Sequence, residues 1–399
     1  MRVLHCIYDD PGNPWVAGGG AHRVREIYRR LADRVEVVVA TGGYPGARDG
    51  VVDGVPYRRL GAPGPYAWSR LTYARAATRL LAAGAYDAAL FDFSVYTPIR
   101  LPRHAPAGLV VHMLHGTTAA ARFGGVLGRA VGWAEARGVR QARWISTTSR
   151  WMEGQLRGIV APATRIAVVG SGVPDEFAAV ERGEGGYLLY YGRFDVFQKG
   201  IDVALDAFAR IAAARPGVRL VLAGRGKDEA RVRELAAAPG LEGRVEVRAN
   251  ASRAEVLALM SGALALLMPS RLEGLPMVPA EAMAAGVPVV ATDVAAVSEV
   301  VAPPEGGVLV PPGDAGALAA AALALLDDPA HRARVSASAR LSARRFSWDE
   351  VAADHLRFLE QIAAEHAAPA SPALAGDGDG VVGGLHGELH GRVQHPHHA

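Results

Sequence analysis

Two short apolar runs, Ala263 to Met268 and Val287 to Ala291, bracket a stretch reading P-S-R-L-E-G-L-P-M-V-P-A-E-A-M-A-A-G-V-P-V-V from Pro269 to Val290. Between the runs lie a Gly/Pro-containing turn and a short Ala/Met-rich segment. The unit therefore reads strand, loop, helix, strand, and a crossover of this kind belongs to a parallel sheet. Loops that open at the carboxyl ends of parallel strands are where such sheets bind ligands. Two carboxylates sit in this unit, Glu273 in the loop and Glu281 near the start of the helix. Free backbone N–H groups at that helix start favour an anion.

The alternation extends along the chain. Strands are predicted at Arg2 to Tyr8, Val35 to Ala40, Tyr86 to Phe93, Gly108 to Leu114 and Trp144 to Thr148. The loop Gly18-Gly19-Gly20 leads into a helix carrying Val24, Ile27 and Leu31 on one face, and Tyr66 to Ala82 and Arg122 to Arg143 read as helices. This first series ends around Arg165 to Phe177, and Glu181 to Gly186 is a polar, Gly-rich connector. A second series follows, with strands at Tyr187 to Tyr191, Val218 to Ala223 and Arg244 to Arg248. Its helices are Ile201 to Ala214, Asp228 to Ala238 and Ala254 to Ser261. Strand Val308 to Val310 and helix Ala315 to Leu326 close it. Near-continuous apolar strands in repeated β-α-β units imply a parallel sheet covered on both faces. At 399 residues two domains are expected.

Ser347-Trp348-Asp349-Glu350 has the spacing of a capping box and starts a helix to about His366. The remainder is rich in Ala, Pro, Gly and His without periodicity and reads as disordered. Its His386, His390, His395, His397 and His398 fit a solvated tail better than a metal site.

Composition removes several classes. Half the residues are hydrophobic, yet no run reaches the roughly eighteen residues of a membrane span. The opening M-R-V-L-H-C-I-Y-D-D reads as a first strand rather than a signal peptide. Cys6 is the one cysteine, so disulfide frameworks and cysteine-ligated metals are out, and a cytoplasmic protein is expected. A net charge of +3 makes no case for nucleic acid. Of the 43 basic residues only Lys199 and Lys227 are lysine. A lysine kept in so arginine-biased a chain draws notice.

Cations and acids then recur at predicted strand ends. Arg193 closes one strand and Lys199 precedes the next helix, a pattern suited to clamping a diphosphate and also open to reading as solvated loop charge. Leu222 to Gly226 lacks the third glycine of a dinucleotide fingerprint, and is read either as a tight turn or as a wall beside a nucleotide. Glu281 could accept both hydroxyls of a ribose, or simply favour a helix dipole. Glu273, among Leu, Gly and Pro, suits a carboxylate held toward a ligand. In the first half, Gly18 to Gly20 would let backbone N–H groups approach a phosphate, with a flexible loop tip as the plainer reading. His115 ends a strand before Gly-Thr-Thr, facing a cleft or capping the strand, and His112 is expected on the same face or buried. The stretches around Tyr66, Trp68, Arg70 and Tyr73, and around Arg122, Phe123, Val126 and Arg129, suit peripheral contact with an anionic membrane or an ordinary surface helix, the latter favoured.

Together these segments resemble the retaining glycosyltransferases of family 4, which have the GT-B fold. Gly192 to Gly200, G-R-F-D-V-F-Q-K-G, is similar to the family's G-R-x-x-x-x-K-G segment. Glu273 and Glu281 match its E-x7-E pair, and Val297 to Val301, Leu309 to Asp314 and Phe346 to Trp348 resemble further segments. The resemblance covers roughly residues 1 to 366 and departs at Ser171, where Asn is common, and at Leu275-Pro276, where an aromatic-Gly pair is common. Pro276 offers no N–H.

The resemblance implies an α/β protein of two Rossmann-like parallel-sheet domains facing a central cleft. The boundaries expected are 1–172 on the acceptor side, 173–345 for the nucleotide sugar, a helix 346–366 crossing back to the N-terminal domain, and a tail 367–399. It implies transfer of a hexose from a UDP- or GDP-sugar to a hydroxyl acceptor, with no metal and no cofactor beyond the nucleotide sugar. Arg193 and Lys199, with Gly19 and Gly20 opposite, would hold the diphosphate. Glu281 would hold the ribose, and Glu273, Gly274 and Leu275 the sugar. Glu273 and His115 would stand at the reacting centre, and no catalytic base is implied. A nucleotide-sugar epimerase or phosphorylase of the same fold, or a non-catalytic nucleotide-sugar-binding module, are the alternatives. Donor base, acceptor and oligomeric state are not readable from the residues.

Overall fold

A computed structural model describes residues 1–15, 18–102, 105–116, 124–183 and 185–367. The expectations for Thr117, Arg122, Phe123 and the His-rich tail lie outside the described residues.

The first half is built on an eight-stranded sheet in the order β3-β4-β2-β1-β5-β6-β7-β8. Its strands are β1 (Arg2–Cys6), β2 (Glu36–Gly42), β3 (Gly50–Val52), β4 (Val55–Leu60), β5 (Ala88–Asp92), β6 (Ala107–Val111), β7 (Trp144–Thr147) and β8 (Arg165–Val168). The second half carries a six-stranded sheet in the order β11-β10-β9-β12-β13-β14. Here the strands are β9 (Tyr187–Arg193), β10 (Arg219–Arg225), β11 (Val245–Ala249), β12 (Ala263–Met268), β13 (Val289–Thr292) and β14 (Gly307–Val310). Every neighbouring pair is parallel except β3 with β4.

Both faces of each sheet are covered, which is why the strands are apolar throughout. In β9, Leu188 and Tyr190 join one core and Leu189 the other, the two-residue alternation of a strand. The helix Ile201–Ala214 lays Ile201, Leu205, Phe208 and Ile211 into that core as its sequence period requires. In the first half Val24, Ile27 and Leu31 are buried together, and Cys6 is a buried free thiol.

Between β2 and the helix Tyr66–Ala83, where no strand was predicted, the chain forms a hairpin, β3 and β4, that extends the sheet edge. Its turn is Asp53-Gly54 with φ of 50° and 80°, the left-handed pair that suits a strand's twist. An unanticipated helix, Pro329–Ala343, follows the Ala-rich one. Asp328 caps it, its carboxylate accepting from His331 N–H at 2.8 Å, and Pro329 occupies its first turn. Ser252 and Glu255 form a reciprocal capping box on the helix Arg253–Gly262. At the last helix, Ser347 Oγ accepts from Asp349 N–H at 3.2 Å, one residue earlier than the expected box partner.

That last helix, Trp348–Ala367, crosses back onto the first half. Trp348, Val351, Leu356, Phe358, Leu359 and Ile362 are buried with Val3, Val24, Ile27 and Leu90. Glu299 adds a polar link between the halves, accepting the Arg150 and Trp151 N–H groups at 2.9 and 2.6 Å. These are unpaired donors at the start of the helix Arg150–Arg157, so an acid belongs there.

Among the described residues no helix is long and apolar enough to cross a membrane. On the basic aromatic helices, Trp68, Val126, Leu127 and Trp133 are exposed. Tyr73 is fully buried and Arg70 nearly so, and the Tyr66–Ala83 helix therefore uses part of that pattern for its own core.

Candidate active site

Each sheet reverses its strand order once, at β9/β12 in the second half and at β1/β5 in the first. The crevice beyond the carboxyl ends of the strands at such a reversal is where open α/β sheets bind ligands. The second crevice brings together a cation and an acid that the sequence placed at separate strand ends. Lys199 ends the short helix Val196–Lys199 after β9, and its Nζ lies 2.6 Å from Glu273 Oε1 in the loop after β12. Both side chains are largely shielded, at 18% and 7% exposure, so little water screens the pair.

Main-chain bonds hold the two loops together. Gln198 C=O accepts the Arg271 N–H at 2.9 Å, and Arg271 forks onto Asp202 at 2.8 and 2.7 Å. Arg193, at the exposed end of β9, donates to Gln198 Oε1 at 3.3 Å. Lys227 stands 3.2 Å from Asp195, whose carboxylate caps the Lys199 helix by accepting from Gln198 N–H. Both lysines thus serve one corner. Gln198, Arg271, Asp202 and Asp195 went unread in the sequence. An Asp three residues before Gln198 was the available capping signal.

Leu222 to Gly226 is the end of β10, in register with β9 so that Gly224 pairs with Gly192. A Cβ on Gly224 would overlap the Gly192 carbonyl oxygen, which makes its packing role sufficient.

Glu281 has a different cation beside it. The helix runs Met277–Ala284 after Pro276, so Glu281 is a full turn inside it and no acid occupies the first turn. The expectation of a placement near the helix start, with its dipole explanation, is corrected. Its neighbour is Arg253, 3.8 Å away, which also pairs with Glu176 and lies 4.4 Å over the Phe177 ring. Burial pushes the Glu281 carboxyl from 4.5 up to about 7, against the pull of Arg253 and with a further rise from Glu176.

A raised value means that the fold favours the neutral acid. That stabilisation is complete below about pH 4.5 and is lost as the pH rises through 7. Glu281→Gln is therefore expected to melt with wild type near pH 5 and above it at pH 8, by roughly 2–4 °C per kcal/mol relieved. Thermal melts at the two pH values check this. A gap of equal size at both would contradict it.

Gly274 is buried and turns the Glu273 loop toward the first half. A Cβ there would lie 3.3 Å from Met113 Cε and 3.4 Å from the His112 carbonyl oxygen. Leu275 packs at the edge of the second-half core. On the facing side Gly19 and Gly20 are the first two residues of the helix Gly19–Arg30, with Gly18 as its cap. His115 N–H and Gly116 N–H donate to the two oxygens of Glu135, at 2.8 and 2.6 Å, which fixes the loop after β6. The His115 ring sits 6.1 Å from that of Tyr96. Strand β6 ends at Val111, so His112 and His115 both lie beyond it, and strand period does not put them on one face. Among the described residues no hydrogen bond or ion pair joins Gly19 or Gly20 to the Lys199 corner.

Residues 18–172 match the family described as "Glycosyl transferase 4-like domain", and residues 174–342 match "Glycosyl transferases group 1". The chain belongs to the family 4 type of GT-B glycosyltransferases. It is 32% identical over 258 residues to a glycogen synthase of Mycobacterium tuberculosis, covering 61% of each chain. It is 37% identical over 177 residues to a phosphatidyl-myo-inositol mannosyltransferase of Mycobacterium leprae, covering 44% of this chain and 46% of that protein. The chain thus spans less than two thirds of the curated relatives it matches. The fold is similar to that of a sucrose-phosphate synthase from Thermosynechococcus elongatus, with a TM-score of 0.75 at 22% identity, over 92% of this chain and 100% of that one.

Proposed function

We propose that this family member is a retaining glycosyltransferase that moves a hexose from a UDP- or GDP-sugar to a hydroxyl acceptor. The observation that carries the reading is the Lys199–Glu273 pair, 2.6 Å apart at the β9/β12 reversal, with Arg193 beside it. A cation and an acid held this closely can share one ligand that is anionic at one end and hydroxylated at the other. Arg193 and Lys199 take the diphosphate and offset the charge that grows on it as it leaves, so that two cations supply what a metal would. Glu273 accepts from hydroxyls of the sugar, beside the Gly274 and Leu275 amides. Glu281, once ionised, accepts both ribose hydroxyls. Gly19 and Gly20 offer N–H groups from the opposite wall, and His115 meets the sugar near the reacting carbon. In the same-face step the bond from C1 to the diphosphate oxygen breaks and a bond from C1 to the acceptor oxygen forms. The acceptor's proton passes to the departing diphosphate. The glycogen synthase and mannosyltransferase relatives, whose names denote hexosyl transfer, support this class.

A thermal-shift panel of UDP, GDP and ADP and their sugars tests the donor side. A ligand that binds only the folded state raises the melting temperature by mass action, about 2.7 kcal/mol at a hundredfold excess over its Kd. One base is expected to stand out. A panel in which no nucleotide moves the transition rejects the donor site.

A further inference from the structure

The crevice at the β1/β5 reversal in the first half contains a second set of polar groups, which the donor site does not use. Asp92, at the end of β5, is almost fully buried, and both of its oxygens are engaged. Oδ1 lies 2.5 Å from His112 Nε2 and Oδ2 2.7 Å from His5 Nε2. His5 Nδ1 is 2.9 Å from Tyr28 OH, which is 3.1 Å from Nε2 of His355 on the crossing-back helix. Burial opposes the charge on Asp92, but His112 and His5 outweigh it and hold the carboxyl well below its usual range.

An ionised Asp92 can only accept, so His112 and His5 each present an Nε2–H to it. His5 Nδ1 then accepts from Tyr28, and Tyr28 accepts from His355. With Nε2–H directed at Asp92, the His112 ring turns Nδ1 away from that carboxylate, and in the neutral imidazole this nitrogen is an acceptor; the side chain is a third exposed and Nδ1 is bonded to no described residue. Asp9, just past β1, is the companion group. Its Oδ2 lies 3.2 Å from where a Cβ on Gly18 would stand, and both it and Asp92 Oδ1 come within 4.0 Å of the same point on Gly20. No described residue donates a hydrogen bond to Asp9. The His112 carbonyl oxygen, in turn, lies 3.4 Å from where a Cβ on Gly274 of the donor loop would stand.

We propose that Asp9 and His112 Nδ1 form the acceptor subsite, and that it takes a sugar or polyol with neighbouring hydroxyls. The inference rests on the glycosyltransferase reading above. Two lone-pair acceptors on one wall, without donors of their own, match two O–H groups on one ligand. They bind hydroxyls beside the nucleophile. The nucleophile's own proton stays free to pass to the diphosphate as the C1–O bonds exchange. Asp92 acts through His112 and is a positioning residue that sets its tautomer and aim.

The test uses the full chain with UDP-glucose, GDP-mannose and ADP-glucose as donors. Methyl α-D-glucopyranoside, methyl α-D-mannopyranoside and glycerol serve as vicinal-hydroxyl acceptors, and 4-methylumbelliferone as an acceptor with one hydroxyl. Wild type is expected to favour the vicinal-hydroxyl probes by at least about tenfold in kcat/KM. His112→Gln keeps an N–H for Asp92 but loses the Nδ1 lone pair. It and Asp9→Asn should each raise the acceptor KM at least about tenfold, with nucleotide Kd unchanged within about twofold. Asp92→Asn, which turns an N–H toward His112 and reverses its tautomer, should do the same. An unchanged acceptor KM in His112→Gln and Asp9→Asn overturns the proposal. So does donor turnover that no vicinal-hydroxyl probe stimulates while nucleotide binding is intact. A wild-type protein that binds no nucleotide overturns the reading beneath it, and the proposal with it.

Discussion

Glu273→Ala is expected to remove sugar transfer almost entirely, by a factor on the order of 10³, while the protein remains folded. Mutations that delete one charge-stabilising partner in a water-poor site reach this size. Lys199 loses its 2.6 Å partner, but its flexible stem can carry the ammonium outward and limit the cost to folding. The melting temperature should therefore move by only a few degrees, and nucleotide should still bind through Arg193, Lys199 and Glu281. Glu273→Gln keeps the shape without the charge and should recover little. Turnover that persists in either variant would remove Glu273 from the reaction.

Gly200→Ala is expected to damage both stability and donor binding. Gly200 links Lys199 to the following helix with φ +64°, and a Cβ would overlap the carbonyl oxygen of Pro269 at the head of the Glu273 loop. The left-handed conformation alone costs an alanine about 1–2 kcal/mol. The overlap forces the two loops apart as well, so a fall of roughly 5–10 °C in melting temperature and a clear loss of nucleotide affinity should follow. Gly243→Ala is the control, with φ +71° and nothing near its Cβ. It should lose only the conformational part and bind nucleotide normally. Equal behaviour of the two variants would mean that contact with Pro269 is irrelevant to the site.

Much of the architecture was legible because local pattern and burial agree. A parallel strand buried on both faces must be apolar throughout, and a covering helix must repeat its apolar residues every three to four positions, as Ile201, Leu205, Phe208 and Ile211 do. The β3–β4 hairpin was missed although Asp53-Gly54 marks its turn, because its strands mix Arg with Val and Tyr at an exposed sheet edge. Pro329–Ala343 was obscured by its weak periodicity, although Asp328-Pro329 marks its start.

The site divides along the same line. Lys199 precedes its glycine, and Glu273 follows its strand by a few residues, so strand-end reasoning reached both. It placed Glu281 too near the helix start, because the position of one residue within a turn of helix depends on where Pro276 lets the helix begin. The first-half network was out of reach. His5 and Asp92 are 87 residues apart and Tyr28 and His355 are 327 apart, and neither pair leaves a spacing to read.

By itself, then, the sequence determined most of the strand and helix order, the two parallel sheets and the family, since each follows from short-range periodicity or a contiguous motif. Only the tertiary structure decided which charges meet. It paired Lys199 with Glu273 and Glu281 with Arg253, and brought Asp9, Asp92 and His112 to the other reversal. Side-chain contact depends on distance in space, and a parallel sheet brings together strand ends that the chain separates by whole helices.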